Sequence, residues 1–203
     1  MNNIRTNCFI LDEHEIGLML GTRCASTSIK QSVLVSAGAN NGTIHKNEYL
    51  LARQVPKEEM QICPYRVFAT VRNPYDRLFS TWQHCVRTRF WERFHYYGIS
   101  PHDSYEEFVQ KVVDIPAEDT DIHLVPLSVA FSVNGGLIPD VILRQEGLLA
   151  TWQEVRNESV LALPKLDTLN RTSDGTFSDN SGLRLPEIAT YYKQDFEVFG
   201  YSQ

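Results

Sequence analysis

The feature that most constrains the fold is the apolar run Val67-Phe68-Ala69-Thr70-Val71, which stops at Arg72-Asn73-Pro74. The run reads as a buried strand, and beyond it Leu78, Phe79, Trp82, Cys85 and Val86 recur at helical spacing. Pro74 suits the first helical position, where its fixed φ helps and its missing N–H costs nothing. Asn73 suits the cap before it, and Asp76 the positive first turn. Arg72 therefore sits at the mouth of a helix, with Ser80 in the second turn. A guanidinium and a hydroxyl so placed can hold one phosphate between them. The same Arg-x-Pro arrangement also serves helix capping and charge balance with no ligand at all.

A second strand-loop-helix unit precedes this one. Ile16-Gly17-Leu18-Met19-Leu20 is a short apolar run, and Ile29, Val33 and Leu34 give a helical stripe that Ser26 or Thr27 can cap. The intervening Gly21-Thr22-Arg23-Cys24-Ala25 lacks the second glycine and the lysine of a nucleotide-triphosphatase loop. The hydroxyls of Ser26, Thr27 and Ser28, with the helix-start amides, could still receive phosphate or sulfate oxygens. A serine-rich cap on a core helix is the alternative. Val141–Arg144 and the stripe Leu148, Leu149, Trp152, Val155 form a third such unit. Ser104-Tyr105-Glu106-Glu107 has the form of a capping box, residues 168–182 form a polar loop, and Pro186 starts a last helix. The stretch from Thr88 to Pro101 interleaves aromatics with arginines, either to pack a continued helix or to stack on an acceptor.

The 203 residues suit a single domain over residues 1–203. A net charge of -6, from 19 basic and 25 acidic residues, argues against a general nucleic-acid or anionic-membrane binder, so any anion site must be local. No apolar run approaches a membrane span and no export signal opens the chain, which predicts a soluble, cytoplasmic protein. Cys8, Cys24, Cys63 and Cys85 are widely spaced and lie in no zinc-like cluster. Reduced thiols are expected, and no metal site.

The order and spacing of these pieces resemble the sulfotransferase family, in particular its carbohydrate (Golgi-type) members. Arg72, Pro74, Arg77 and Ser80 match the motif that binds the 3′-phosphate of the sulfate donor. Thr22 and Arg23 stand where the 5′-phosphosulfate motif has Pro-Lys, with Ser26, Thr27 and Ser28 in its hydroxyl stretch. His123, Pro126, the Arg144-Gln145-Glu146 stretch and the closing Asp195-Phe196-Glu197 extend the likeness over nearly the whole chain. The resemblance implies an α/β fold, a parallel sheet flanked by helices and related to nucleotide kinases. It also implies 3′-phosphoadenosine 5′-phosphosulfate (PAPS) as cofactor, and sulfuryl transfer to an acceptor hydroxyl on a carbohydrate or other small molecule. Cofactor contacts are then expected from Thr22, Arg23, Cys24, Ala25, Ser26, Thr27, Ser28, Arg72 and Ser80.

Arg23 is expected to act in catalysis as well. Arginine stays protonated, so it offers charge and hydrogen bonds where the family's lysine could also donate a proton. The acceptor proton needs a base that titrates near neutrality, which points to His45, between the two corners, or His123, at a family position; a carboxylate is a third choice. Two other functions share this architecture: a nucleotide-binding protein with weak or no transfer, and a P-loop kinase.

Overall fold

The computed structural model describes residues 7–36, 53–86, 91–166 and 184–203. His45 and the polar loop expected over residues 168–182 lie outside them. In chain order the first elements are β1 (Cys8–Leu11), β2 (Ile16–Leu20), α1 (Ser26–Ser36), β3 (Arg53–Val55), α2 (Lys57–Met60), β4 (Arg66–Val71) and α3 (Pro74–Thr81). They are followed by α4 (Tyr105–Val113), α5 (Leu127–Ala130), β5 (Ser132–Val133), β6 (Gly136–Leu137), β7 (Val141–Arg144), α6 (Leu148–Glu158), α7 (Pro186–Tyr191) and α8 (Lys193–Phe199). The chain divides into two compact units. One comprises Arg5–Val71 and Phe131–Asp174; the other comprises Met1–Ile4, Arg72–Ala130 and Gly175–Gln203.

The first unit holds a five-stranded sheet of order β3-β1-β2-β4-β7. β4 runs parallel to both β2 and β7, as expected, while β1 is antiparallel to β2 and to β3. The departure has a simple cause. Parallel neighbours need a crossover of a dozen or more residues, whereas β1 and β2 are joined only by the 3₁₀ turn Asp12–His14 and Glu15, at φ 54°. Along β2, Ile16, Leu18 and Leu20 alternate onto one face beside Phe9, Leu11, Phe68 and Leu143. That face forms a single core with Ile29 and Val33 of α1 and Leu148, Trp152 and Val155 of α6. Each such side chain contributes roughly 1.5–3 kcal/mol on burial. On the opposite face Gly17 admits α2. A Cβ there would lie 2.9 Å from Met60 Cε and 3.0 Å from Val67 Cγ2.

The second unit is helical. Asn73 caps α3 as its side chain accepts from the Tyr75 amide at 3.0 Å, with Pro74 at the first helical position. Beyond Thr81 the helix continues as a π-helical turn, Trp82–Val86. α4 starts with the full capping box: the Glu107 amide donates to Ser104 Oγ at 3.2 Å and the Ser104 amide to Glu107 Oε2 at 2.8 Å. Tyr75, Leu78, Phe94, Phe108, Val112, Ile188, Tyr192 and Phe196 share its core.

The last helix and the aromatic stretch differ from the expectation. The last helix breaks at Tyr192, whose ψ of 19° departs from helix and whose buried hydroxyl donates to the Leu124 carbonyl at 2.6 Å. The described part of the aromatic stretch forms a 3₁₀ helix over Trp91–Tyr97. It buries Phe94 fully and leaves Tyr96 92% exposed, so packing and surface exposure coexist in it.

Candidate functional site

In the sheet unit, the loop after β2 begins where Gly21 donates its amide to the Thr70 hydroxyl and carbonyl, each at 3.2 Å. Leu20 pairs with Thr70 in register, so Gly21 leaves the carboxyl end of a strand that runs parallel to its neighbour. Carboxyl ends of such strands are where α/β sheets bind ligands. Within the loop, Arg23 and Ala25 have φ of 62° and 60° while Cys24 between them does not. L-residues pay about 1–2 kcal/mol each for left-handed backbone. Backbone strain of this kind concentrates at ligand sites.

Helix α1 opens directly from this loop. Ser26 is its first residue, and the Ala25 carbonyl accepts from the Ile29 amide at 3.2 Å, so the three hydroxyls lie in the first turn itself rather than ahead of it. That turn carries the positive end of an 11-residue helix. Cys24 serves the shape of the loop. Its amide donates to the Gly21 carbonyl at 3.2 Å and its thiol to the Thr22 carbonyl at 3.3 Å. Thr22, Cys24 and Ser28 are buried, whereas Arg23, Ala25, Ser26 and Thr27 are partly exposed. Strained backbone, hydroxyls, a guanidinium and a helix N-terminus together make a loop that can receive an anion such as phosphate or sulfate.

In the helical unit, Arg72 is partly exposed and Ser80 is buried. Ser80 lies six residues past Pro74, about 9 Å along the helix. Arg77 has another task. It is 2% exposed and donates to the carbonyls of Val125 at 2.9 Å and Ile122 at 3.3 Å. The family-like arginine at this position thus shapes the segment over residues 121–128. Asp195 holds the other end of that segment, accepting from the Leu127 and Ser128 amides at 2.8 Å each. Burial pushes the Asp195 carboxyl up despite the opposing pull of Arg77 and of these bonds.

His123 sits in the middle of this braced segment. Its Nδ1 is 2.6 Å from Asp121 Oδ1, and Asp121 Oδ2 accepts from Arg93 at 2.7 and 3.0 Å. Burial, with the charges of Arg93 and Arg77, brings the His123 imidazole below its ordinary pKa against the pull of Asp121. A neutral imidazole at pH 7 is in the protonation state a general base requires. Sequence reasoning singled out His123 but neither Asp121 nor Arg93. The Asp-x-His spacing was the available signal for Asp121, whereas Arg93 is 28 residues away in the chain and carried none.

No curated protein and no solved structure matches the chain. The model described as the sulfotransferase family matches residues 7–202. With that match over almost its whole length, the chain belongs to the sulfotransferase family.

Proposed function

We propose that the protein transfers a sulfuryl group from PAPS to a hydroxyl of a carbohydrate acceptor. The observation that carries this reading is the left-handed pair Arg23 and Ala25 leading into Ser26, Thr27 and Ser28, in a chain of the sulfotransferase family. When bound, the donor supplies a sulfuryl group on a phosphate leaving group. Thr22 to Ser28 hold its 5′-phosphosulfate end, the loop through the Arg23 guanidinium and the first turn of α1 through Ser26, Thr27 and Ser28. Arg23 remains cationic throughout and stabilises negative charge as it grows on the leaving oxygen. Arg72 and Ser80 take the 3′-phosphate, an additional anionic group that sets the donor's register.

His45 and His123 are the two proposed bases for the acceptor hydroxyl. His123 has the support of its neutral, carboxylate-tethered ring. For a carbohydrate acceptor, support comes from Tyr96, a 92% exposed ring with Tyr97 edge-on at 5.6 Å, a surface on which sugars stack. Incubation with PAPS labelled in its sulfate, across a panel of oligosaccharides, tests the proposal. Labelled sugar ester is the expected product. Tight bisphosphate binding without transfer to any acceptor would favour the nucleotide-binding alternative, and magnesium-dependent turnover of ATP the kinase.

A further inference from the structure

The Asp121 carboxylate joins the 3₁₀ helix Trp91–Tyr97 to the segment that carries His123. Its Oδ1 accepts from the His123 backbone amide at 2.9 Å and lies 2.6 Å from His123 Nδ1. Its Oδ2 accepts from Arg93 Nε at 3.0 Å and from a terminal guanidinium nitrogen at 2.7 Å. Guanidinium and backbone N–H groups only donate, so the carboxylate they face is ionised and can only accept. Asp121 is indeed held below the usual carboxylate range: burial raises it, but the bonds to His123 and the charge of Arg93 outweigh that. The proton between Asp121 and His123 therefore belongs to Nδ1, and the lone pair of the neutral ring lies on Nε2.

From this geometry we infer that Asp121 and Arg93 are positioning residues for His123, fixing its Nδ1–H tautomer so that Nε2 receives the acceptor's hydroxyl proton. The inference rests on the reading of His123 as the base. Nε2 takes the proton as the acceptor oxygen bonds to sulfur. The bond from sulfur to the bridging phosphate oxygen breaks with its electron pair on that oxygen, giving a sulfate ester and 3′,5′-adenosine bisphosphate. The imidazolium then returns its proton to water.

Arg93 balances this arrangement. A lone carboxylate beside the ring would orient it but also favour the imidazolium; the guanidinium on the far oxygen offsets that preference. The groups that act on the ring from each neighbouring element are Asp121, Arg93 from the 3₁₀ helix and Arg77 from α3. Phe94 presents its ring nearly edge-on at 6.1 Å. Thr81 bonds the His123 carbonyl at 3.4 Å, which fixes the backbone that carries the ring.

Nitrogen NMR of the full chain labelled with ¹⁵N tests this directly, with the His123 signals identified by their loss in His123→Gln. The wild type should show protonated Nδ1 and unprotonated Nε2 while the ring is neutral. Arg93→Gln should raise the midpoint of His123 titration, and the acidic limb of the pH–rate profile should rise with it; Arg93→Lys should restore part of the shift. Asp121→Asn should lower the midpoint, mix the tautomers and cut kcat about a hundredfold. Its acceptor KM and bisphosphate Kd should change less than about twofold, because the loss is confined to the proton transfer. An Nε2–H tautomer in the wild type, or an unmoved midpoint in Arg93→Gln, overturns the positioning role even where His123→Ala is inactive. Wild-type rates in His123→Ala instead remove the base reading, and this inference with it.

Discussion

Arg77 on α3 holds the carbonyl of Val125 at 2.9 Å from a position that is 2% exposed, and so ties the helix after β4 to the segment that carries His123. Replacing it leaves buried carbonyls without their donor, and lysine cannot reproduce the two-pronged contact. Arg77→Lys should lower unfolding free energy by about 3 kcal/mol in urea titrations. A phosphate ligand would behave differently, losing bisphosphate affinity at unchanged stability.

The loop after β2 makes a prediction from handedness alone. Ala25 is at φ 60°, a conformation glycine adopts without cost and a β-branched residue resists most. Ala25→Gly should raise stability by about 0.5–1 kcal/mol and keep nucleotide binding. Ala25→Val should lower both. Thermal unfolding and calorimetry on the two variants check this, and equal behaviour of Gly and Val would show that the loop is not strained.

Arg23 is proposed to act on charge that appears during transfer. Arg23→Ala should therefore reduce kcat far more than it weakens binding of the bisphosphate product. Arg23→Lys should retain or raise the rate, since lysine restores the charge and can also donate a proton. Single-turnover rates measured beside calorimetric affinities separate the two effects.

Stability should depend on His123 with a definite sign. Its pKa is lowered in the folded protein, so between that value and the unfolded value of about 6.5 the unfolded chain binds the extra proton. The contribution is complete above about pH 6.5 and is lost as pH falls through the folded value. Asp121, also lowered, adds a loss of the same sign below about pH 4, whereas Asp195, raised by burial, acts in the opposite direction. Comparing wild type with His123→Gln isolates the histidine. The melting temperature of the variant should fall less between pH 7 and pH 5, and parallel curves would contradict the burial of a neutral ring.

Local rules carried much of this structure. β4, the Asn73 cap, Pro74 and the Ser104 box were legible because each depends on neighbours a few residues away. The sheet's antiparallel edge was not, because the pairing of Cys8 with Val55 is set by contacts far apart in sequence. The loop after β2 was legible as a strand-to-helix corner but not in its backbone: positive φ at Arg23 and Ala25 breaks the preference of both residues, and such exceptions arise from tertiary constraint. Arg77 matches the 3′-phosphate motif in sequence, but its partners, the carbonyls of Ile122 and Val125, lie too far along the chain to be legible there. Residues 121–128 gained their role in the same way, through Arg77, Tyr192 and Asp195 reaching them from distant helices.

The proposed transfer depends on its donor, whose distinguishing group is the 3′-phosphate. Calorimetry of 3′,5′-adenosine bisphosphate against adenosine 5′-monophosphate measures how strongly the protein recognises it. The wild type should prefer the bisphosphate by about 2–3 kcal/mol, the scale of a charge-assisted contact from Arg72 supported by Ser80, and Arg72→Ala should remove most of that preference. Equal affinities for the two nucleotides in the wild type would contradict the assignment of Arg72 and Ser80, and with it the proposal that PAPS is the donor.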